Sequence, residues 1–287
     1  MPTFLFILTA LSMTFISVFK KLYKKPAPIL FSFISGLFTL LFFVVALIVQ
    51  NGFNIVIDST TLFYGLAVGV FFCTSALTSL MALITGDLSL TGLFISFSLI
   101  IPTLYGIILG DQVGLTFFIG IALFLICLVF VNVKFGKKDK KPISVKWVVF
   151  VTIATISNGV SSTIQTAHQK ITGGKFGSEL MIVALILACI VYLIFCLATE
   201  KNKIKDAKND ALKFGCLVGV LTGLTNLLVM MFTGQNLMPV AIFFPALSGT
   251  TLLMTFLIGF FLYKEKYTLL QYVGILCGLA SVILLNL

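Results

Sequence analysis

The sequence predicts an all-α, polytopic membrane protein with ten transmembrane helices arranged as two inverted five-helix repeats. Three observations carry that expectation. Hydrophobic residues make up 60% of the 287 and charged residues only 10%, with a mean hydropathy of +1.19. A soluble domain carries roughly 25% charged residues to cover its surface. The apolar residues gather in long unbroken runs, and the second half of the chain echoes the first.

A helix rising about 1.5 Å per residue crosses about 30 Å of hydrocarbon in about 20 residues. Runs that meet this test fall near 2–19, 28–50, 61–84, 88–109, 114–133, 147–167, 178–199, 212–232, 238–263 and 268–286. None shows the period-two alternation of a transmembrane barrel strand. No lysine precedes the first run, as a cleaved signal peptide requires, so that run is expected to remain as a membrane helix.

The 19 basic residues are all lysines and the net charge is +10. Seventeen lysines lie in the loops after spans one, five, seven and nine, and two, Lys170 and Lys175, lie on the other side. Lysine-rich loops stay in the cytoplasm. Both termini are therefore expected outside a plasma membrane, and the arginine-free, lysine- and phenylalanine-rich composition suits a bacterium with an AT-rich genome. Without arginine, the usual reader of bases and phosphates, nucleic acid is not an expected partner. The six cysteines all fall inside apolar runs, where they read as packing residues and form neither a disulfide framework nor a zinc pattern. No metal or cofactor is expected.

The repeat is carried by two echoes. LGDQVGLTFFIG at 109–120 and YKEKYTLLQYVG at 263–274 each set an acid, Asp111 or Glu265, nine residues ahead of a glycine, Gly120 or Gly274. The same offset of 154 maps Leu115, Ile121, Leu125 and Asn132 on Leu269, Ile275, Leu279 and Asn286. YGLAVGV at 64–70 and FGCLVGV at 214–220 repeat at an offset of 150. Residues 1–133 then form one five-helix repeat, 134–146 a lysine-rich cytoplasmic linker, and 147–287 the second repeat. An odd number of spans inverts the second copy, as in many secondary transporters.

Ten spans in two halves, with Gly110-Asp111 and Lys264-Glu265 at the turn before the last helix of each half, resemble the drug/metabolite transporter superfamily, EamA-like branch. The resemblance implies a central cavity walled by the first four helices of each half, the last helix of each half at the periphery, and transport of small polar or amphipathic solutes. One pattern of the small multidrug members is missing: PTFLFILTALSMTFISVF in span one has no acid, which argues against their proton-driven drug export.

All nine acids lie at span ends or in loops, so recognition is expected to rest on hydroxyls, amides, aromatics and backbone, which favours a neutral or zwitterionic solute. Thr155, Asn158, Ser162, Gln165 and Gln169 recur at spacings of three and four on span six, and Gly215, Gly219, Thr222 and Asn226 do so on span eight. Such stripes face protein or water rather than lipid, either as cavity lining or as interhelical glue. Pro245 on span nine, with Ser248 and Thr250 beside it, and Pro102 on span four, with Ser96, Ser98 and Tyr105 nearby, mark either exposed-backbone sites or packing kinks. The candidate substrate-binding residues are Asn158, Ser162, Gln165, Asn226, Thr222, Ser248, Thr250, Ser96 and Tyr105.

Glycine pairs four apart (Gly65/Gly69, Gly106/Gly110, Gly219/Gly223, Gly274/Gly278) are expected to let helices approach closely. The single histidine, His168, is expected as an interfacial polar residue, and Asp111 and Glu265 as partners of helix ends or lysines. The expected function is a secondary transporter or facilitator moving a small organic metabolite by alternating access. The alternatives are a lipid or lipid-linked sugar flippase, or a receptor or scaffold that moves nothing. An enzyme is not expected, since no acid–base pair or nucleophile stands out; the partners are a small-molecule substrate and membrane lipids. A reporter active only in the cytoplasm, fused after Leu287, should stay silent, and activity there would sink the predicted topology.

Overall fold

The structure is a computed structural model. It describes residues 2–23, 25–52, 57–85, 94–95, 97–132, 145–262 and 269–285. In order these form α1 (Pro2–Leu22), α2 (Pro28–Asn51), α3 (Ser59–Thr85), a 3-10 turn (Phe97–Leu99) leading into α4 (Ile100–Ile108), α5 (Leu115–Asn132), α6 (Val145–Ile171), α7 (Gly177–Thr199), a second 3-10 turn (Lys201–Lys203) leading into α8 (Ile204–Gly234), α9 (Val240–Leu262) and α10 (Leu269–Leu285). Among the described residues there is no strand. Among the described residues six segments are long and apolar enough to cross a membrane: Pro2–Lys20, Pro28–Gln50, Ser59–Ser79, Val145–Ile171, Gly177–Thr199 and Lys201–Gly234. Four shorter apolar helices, Phe97–Ile108, Leu115–Cys127, Val240–Thr251 and Tyr272–Ser281, stand where the remaining runs were expected. The linker at 134–144, Ser96 and the Lys264-Glu265 turn lie outside the described residues.

One boundary departs from expectation for a physical reason. α8 begins at Ile204 rather than near 212, because Ala207 and Ala211 bury one side of IKDAKNDAL while its lysines and Asp206 stay exposed. Lys25 pairs with Asp210 at 3.3 Å. α9 runs unbroken through the buried Pro245; proline costs the helix the bond to the carbonyl of Ala241 without ending it.

The chain divides into two compact units. One comprises Met1–Leu77 and Ser161–Leu237, the other Thr78–Val160 and Met238–Leu287. α3 and α6 thus each contribute one end to each unit.

In the first unit glycine sets the helix spacing. A Cβ on Gly215, Gly219 or Gly223 of α8 would lie 2.8 Å from Ile34 Cγ2, 2.5 Å from the carbonyl oxygen of Ser35 and 2.5 Å from Phe42 Cδ1. α8 therefore rides directly on α2, and the Thr39 hydroxyl reaches the Gly219 carbonyl across the contact at 2.9 Å. α3 meets α7 the same way: a Cβ on Gly65 or Gly69 would lie 2.8 Å from Val183 Cβ and 2.9 Å from the Ala184 carbonyl oxygen. Phe43, Leu180, Met181, Leu185 and Met230 fill the core between α2, α7 and α8.

α2 and α7 run antiparallel and tie off each other's ends. Pro28, whose missing N–H and fixed φ suit a first turn, opens α2, and Ala27 offers no side-chain cap. The carboxylate of the buried Glu200, just past α7, accepts the N–H groups of Ile29 at 3.1 Å and Leu30 at 2.8 Å instead. At the other end Ser178 in the first turn of α7 donates to Gln50 Oε1 in the last turn of α2 at 3.1 Å. An acid at a helix N-terminus gains about 0.3–1 kcal/mol, and up to about 2 where partly buried.

The second unit repeats the logic. Asp111 Oδ2, beyond α4, accepts the Ala241 N–H at the start of α9 at 3.0 Å, so Asp111 meets a helix end as expected. Gly106 makes room for this, since a Cβ there would lie 2.5 Å from the Ala241 nitrogen. Its sequence partner Gly110 does not pack: it is exposed with φ +91°, and a Cβ there would meet nothing. Gly110 is a turn glycine using the left-handed region closed to most residues. α5 and α10 pack antiparallel through Gly120, Phe124 and Cys127 on one side and Gly274, Gly278 and Ser281 on the other, all buried. Ser281 donates to the Gly120 carbonyl at 2.8 Å.

Gly219→Leu should destabilise the detergent-solubilised protein by about 1–3 kcal/mol or more, the usual cost of overpacking, whereas Gly114→Leu, whose Cβ would meet nothing closer than 3.7 Å, should leave the melting temperature nearly unchanged. Equal effects of the two would remove the close α2–α8 contact as a stability determinant.

Candidate functional site

Asn158 is the midpoint of α6, thirteen residues from either end of Val145–Ile171, or about 20 Å at 1.5 Å per residue. Its amide Nδ2 donates to Ser98 Oγ at 2.7 Å, in the 3-10 turn that opens α4. One turn earlier, Thr155 Oγ1 lies 2.9 Å from the Phe94 carbonyl and 2.8 Å from that of Val151. Close approach is built in by Gly159, where a Cβ would lie 2.5 Å from both the Ser98 carbonyl oxygen and Ile101 Cδ1. Trp147, buried, stands edge-on to Phe94 at 5.5 Å and floors the cluster together with Ala82 and Val151. The same 3-10 turn and α4 also pack against α9, so Tyr105 of α4 and Ser248 and Thr250 of α9, all half-buried, stand on elements of this one unit. Ser98 is fully buried, Asn158 half-buried.

The other candidates fall in the first unit and are mostly engaged by their own helices. Gln165 Nε2 lies 3.5 Å from Ser161 Oγ, and Asn226 Nδ2 donates to the Thr222 carbonyl at 2.8 Å. Gly215 and Gly219 of the α8 stripe face α2, as described above. The stripe on α6 is thus divided, with Thr155 and Asn158 in one unit and Ser162, Gln165 and Gln169 in the other. Ser96 lies outside the described residues.

A second polar group surrounds the end of α6. His168, expected at an interface, is fully buried. Its Nε2 lies 3.0 Å from Thr61 Oγ1 and its Nδ1 3.2 Å from Gln169 Nε2, with the Tyr64 ring 5.7 Å away. The Thr61 N–H bonds Asp58 Oδ1 at 3.0 Å. Hydrogen bonds from the Thr61 hydroxyl and N–H hold the exposed Asp58 carboxyl below the usual carboxylate range. Ser178 and Glu179, both buried, enter from α7, and Lys170 bonds Asn236. Among the described residues no cluster of three or more His, Cys, Asp or Glu could hold a metal.

Spacing alone did not single out Thr61, Asp58 or the buried Glu179 and Glu200. The signal of the three acids was a place within three residues of the end of an apolar run, which also fits a surface residue; Thr61 carried none. Ser98 lay in view beside Pro102, but nothing in the sequence paired it with Asn158.

The fold and this arrangement define a multi-pass helical membrane protein with polar groups fixed at mid-helix. Residues 139–287, just over half of the chain, match the model of the EamA-like transporter family. The chain belongs to that family, and is a membrane transporter of small solutes. Among solved structures, one described only as "Crystal structure of protein" aligns over 99% of this chain and 95% of its own with a TM-score of 0.77 at 9% identity, a likeness of fold alone. No curated protein matches.

Because the Asp58 carboxyl is lowered in the fold, its contribution to stability is full above about pH 4, the unfolded value, and is lost as pH falls through the folded one. The melting-temperature difference between wild type and Asp58→Asn should therefore shrink on going from about pH 5 to about pH 3. A difference that stays constant over that range would show that the Thr61–Asp58 bonds do not stabilise the charged form.

Proposed function

We propose that this transporter is a secondary carrier or facilitator for a small, neutral or zwitterionic organic metabolite. It crosses the plasma membrane ten times as two inverted five-helix repeats and works by alternating access. The observation that carries the reading is the half-buried amide of Asn158 at the centre of α6. An amide there cannot face lipid, and a hydrogen bond between membrane helices is worth only about 0.6 kcal/mol on average. On this reading its exposed part faces a polar space within its own unit that Tyr105, Ser248 and Thr250 would share; Ser162, Gln165, Thr222 and Asn226, on the other unit, remain candidate substrate-binding residues.

The repeat has support from matched contacts. Gly65 and Gly69 seat α3 on α7 as Gly215 and Gly219 seat α8 on α2, the pairing expected when spans two and three correspond to spans seven and eight. The buried residues Gly120, Phe124 and Cys127 fall on Gly274, Gly278 and Ser281 at the offset of 154. The family match begins within the lysine-rich linker and runs through the proposed second repeat. Both termini are assigned to the outside, from the lysines.

The test is thermal unfolding of purified protein against sugars, amino acids, nucleosides, polyamines and lipid headgroups. A ligand of the folded state at 100 times its Kd adds about 2.7 kcal/mol. Stabilisation by one polar solute class in wild type, abolished in Asn158→Leu with the unliganded melting temperature within a few degrees of wild type, is the expected result. Undiminished stabilisation in that variant would remove Asn158 from the site, and a response to lipid headgroups alone would favour a flippase.

A further inference from the structure

We infer that His168 is a proton-binding site, with Asp58 as its counter-charge and Gln169 as its sensor, and that the proton is the coupling ion of the carrier; the coupling rests on the transport reading above, the proton site does not.

The spans contain no acid away from their ends, and His168 is the only histidine. Histidine is the side chain whose ordinary titration falls between pH 5 and 8, so it is the one group within the spans suited to exchanging a proton near neutrality. A histidine placed only for packing would not need a line to a charge, and this ring has one. Its Nε2 is bonded to Thr61 Oγ1 at 3.0 Å, and Thr61 in turn bonds Asp58 through both hydroxyl and N–H. The ring and Thr61 are fully buried, while Asp58 is exposed. Two hydrogen bonds thus connect a buried imidazole to a solvated carboxylate.

The charged and titratable groups around the ring are few. α3 and the turn before it bring Asp58 and Tyr64. α7 brings the buried Glu179 to the same end, α6 itself carries Lys170, bonded to Asn236, and the exposed Lys175 stands in the loop between the two helices. α1, α2 and α8 contribute no charged residue at that end. Of these groups Asp58 is the one joined to the ring by hydrogen bonds, through Thr61; a negative charge there supports the protonated ring, against the burial that opposes any charge on it.

The proton balance is simple. With Gln169 Nε2 facing Nδ1 at 3.2 Å, Nδ1 holds the lone pair and Nε2–H donates to Thr61. Uptake of one proton from water at Nδ1 gives an imidazolium with two N–H donors. The Nδ1–H then needs an acceptor, so the Gln169 carboxamide must turn its Oε1 inward. Gly177 and Gly234 flank that carboxamide, where a Cβ would lie 3.2 Å from Nε2 and 3.2 Å from Oε1 respectively. Those glycines begin α7 and end α8, so a turn of Gln169 is felt at two helix ends.

The single histidine makes the test direct. Protein labelled at the imidazole nitrogens and placed in lipid nanodiscs should show one ring that titrates between about pH 5 and 8. In Asp58→Asn, a surface variant, the midpoint should fall by about half a pH unit or more. A ring that stays neutral to pH 5, or a midpoint indifferent to Asp58→Asn, overturns the proton site. Coupling is read in proteoliposomes holding a pH-sensitive dye and given the same solute panel. Wild type should move protons with the solute that it exchanges. His168→Gln should retain solute exchange and lose the pH change. Exchange in wild type without any pH change overturns the coupling, whereas no exchange of any solute overturns the transport reading and leaves the nanodisc titration to judge the proton site.

Discussion

The structure depends on one constraint, that a peptide group away from water must find its partner inside the protein. Helices meet it along their length but leave the N–H groups of the first turn and the carbonyls of the last turn over. At the membrane surface water serves them. Where an end is buried, this chain commits one of its few acids to it. Glu200 takes two N–H groups of α2 and Asp111 takes one of α9. The hydroxyls obey the same rule. Thr9, Ser12, Thr14, Thr166 and Thr233 each bond a carbonyl one turn back in their own helix. Among the described residues only one buried side-chain oxygen, Thr225 Oγ1, lacks a partner.

Small residues follow from the same medium. Lipid tails are as apolar as leucine, so burying leucine between helices gains little, and association rests on close packing instead. Each glycine that seats α8 on α2 or α3 on α7 trades a side chain for backbone proximity. The gain is geometric: at such spacing the Thr39 hydroxyl can reach the Gly219 carbonyl of the next helix. Gly110 shows that a sequence pair does not by itself specify packing. Its partner Gly106 packs, but Gly110 turns the chain.

The elements were legible because their signal is long: runs of about 20 apolar residues survive an error of several residues at either end. α8 was missed at its start because IKDAKNDALKFG mixes charge with small residues, and only the buried Ala207 and Ala211 reveal the helix. The site was legible in kind and not in partners. A spacing of three and four put Asn158 on a polar face, but whether an amide bonds its own helix, as Asn226 does, or a neighbouring turn, as Asn158 does, is decided by which helix lies opposite. His168 was misplaced for the same reason. Three residues from the end of a 27-residue helix, a histidine suits the interface, and its burial depends on Thr61 and Tyr64 of α3, more than 100 positions away.

α6 brings these strands together. It carries Asn158, tied to the turn before α4, and ten residues later His168, tied to α3 and, through Gln169, to the neighbourhood of Gly177 and Gly234. The two lie ten residues apart on a helix that contributes to both units. On the reading proposed above, that makes α6 the physical link between solute and proton. Solute binding that draws on the Asn158 amide competes with its bond to Ser98, while proton binding changes which face of Gln169 must point inward. Each event acts on the same helix, and linkage requires the effect to be mutual: whatever solute binding does to the proton affinity of His168, the proton does to the affinity for solute. A neutral cargo suits this arrangement, since the one charge that enters the helix layer with it already has Asp58 at the end of its hydrogen-bond chain.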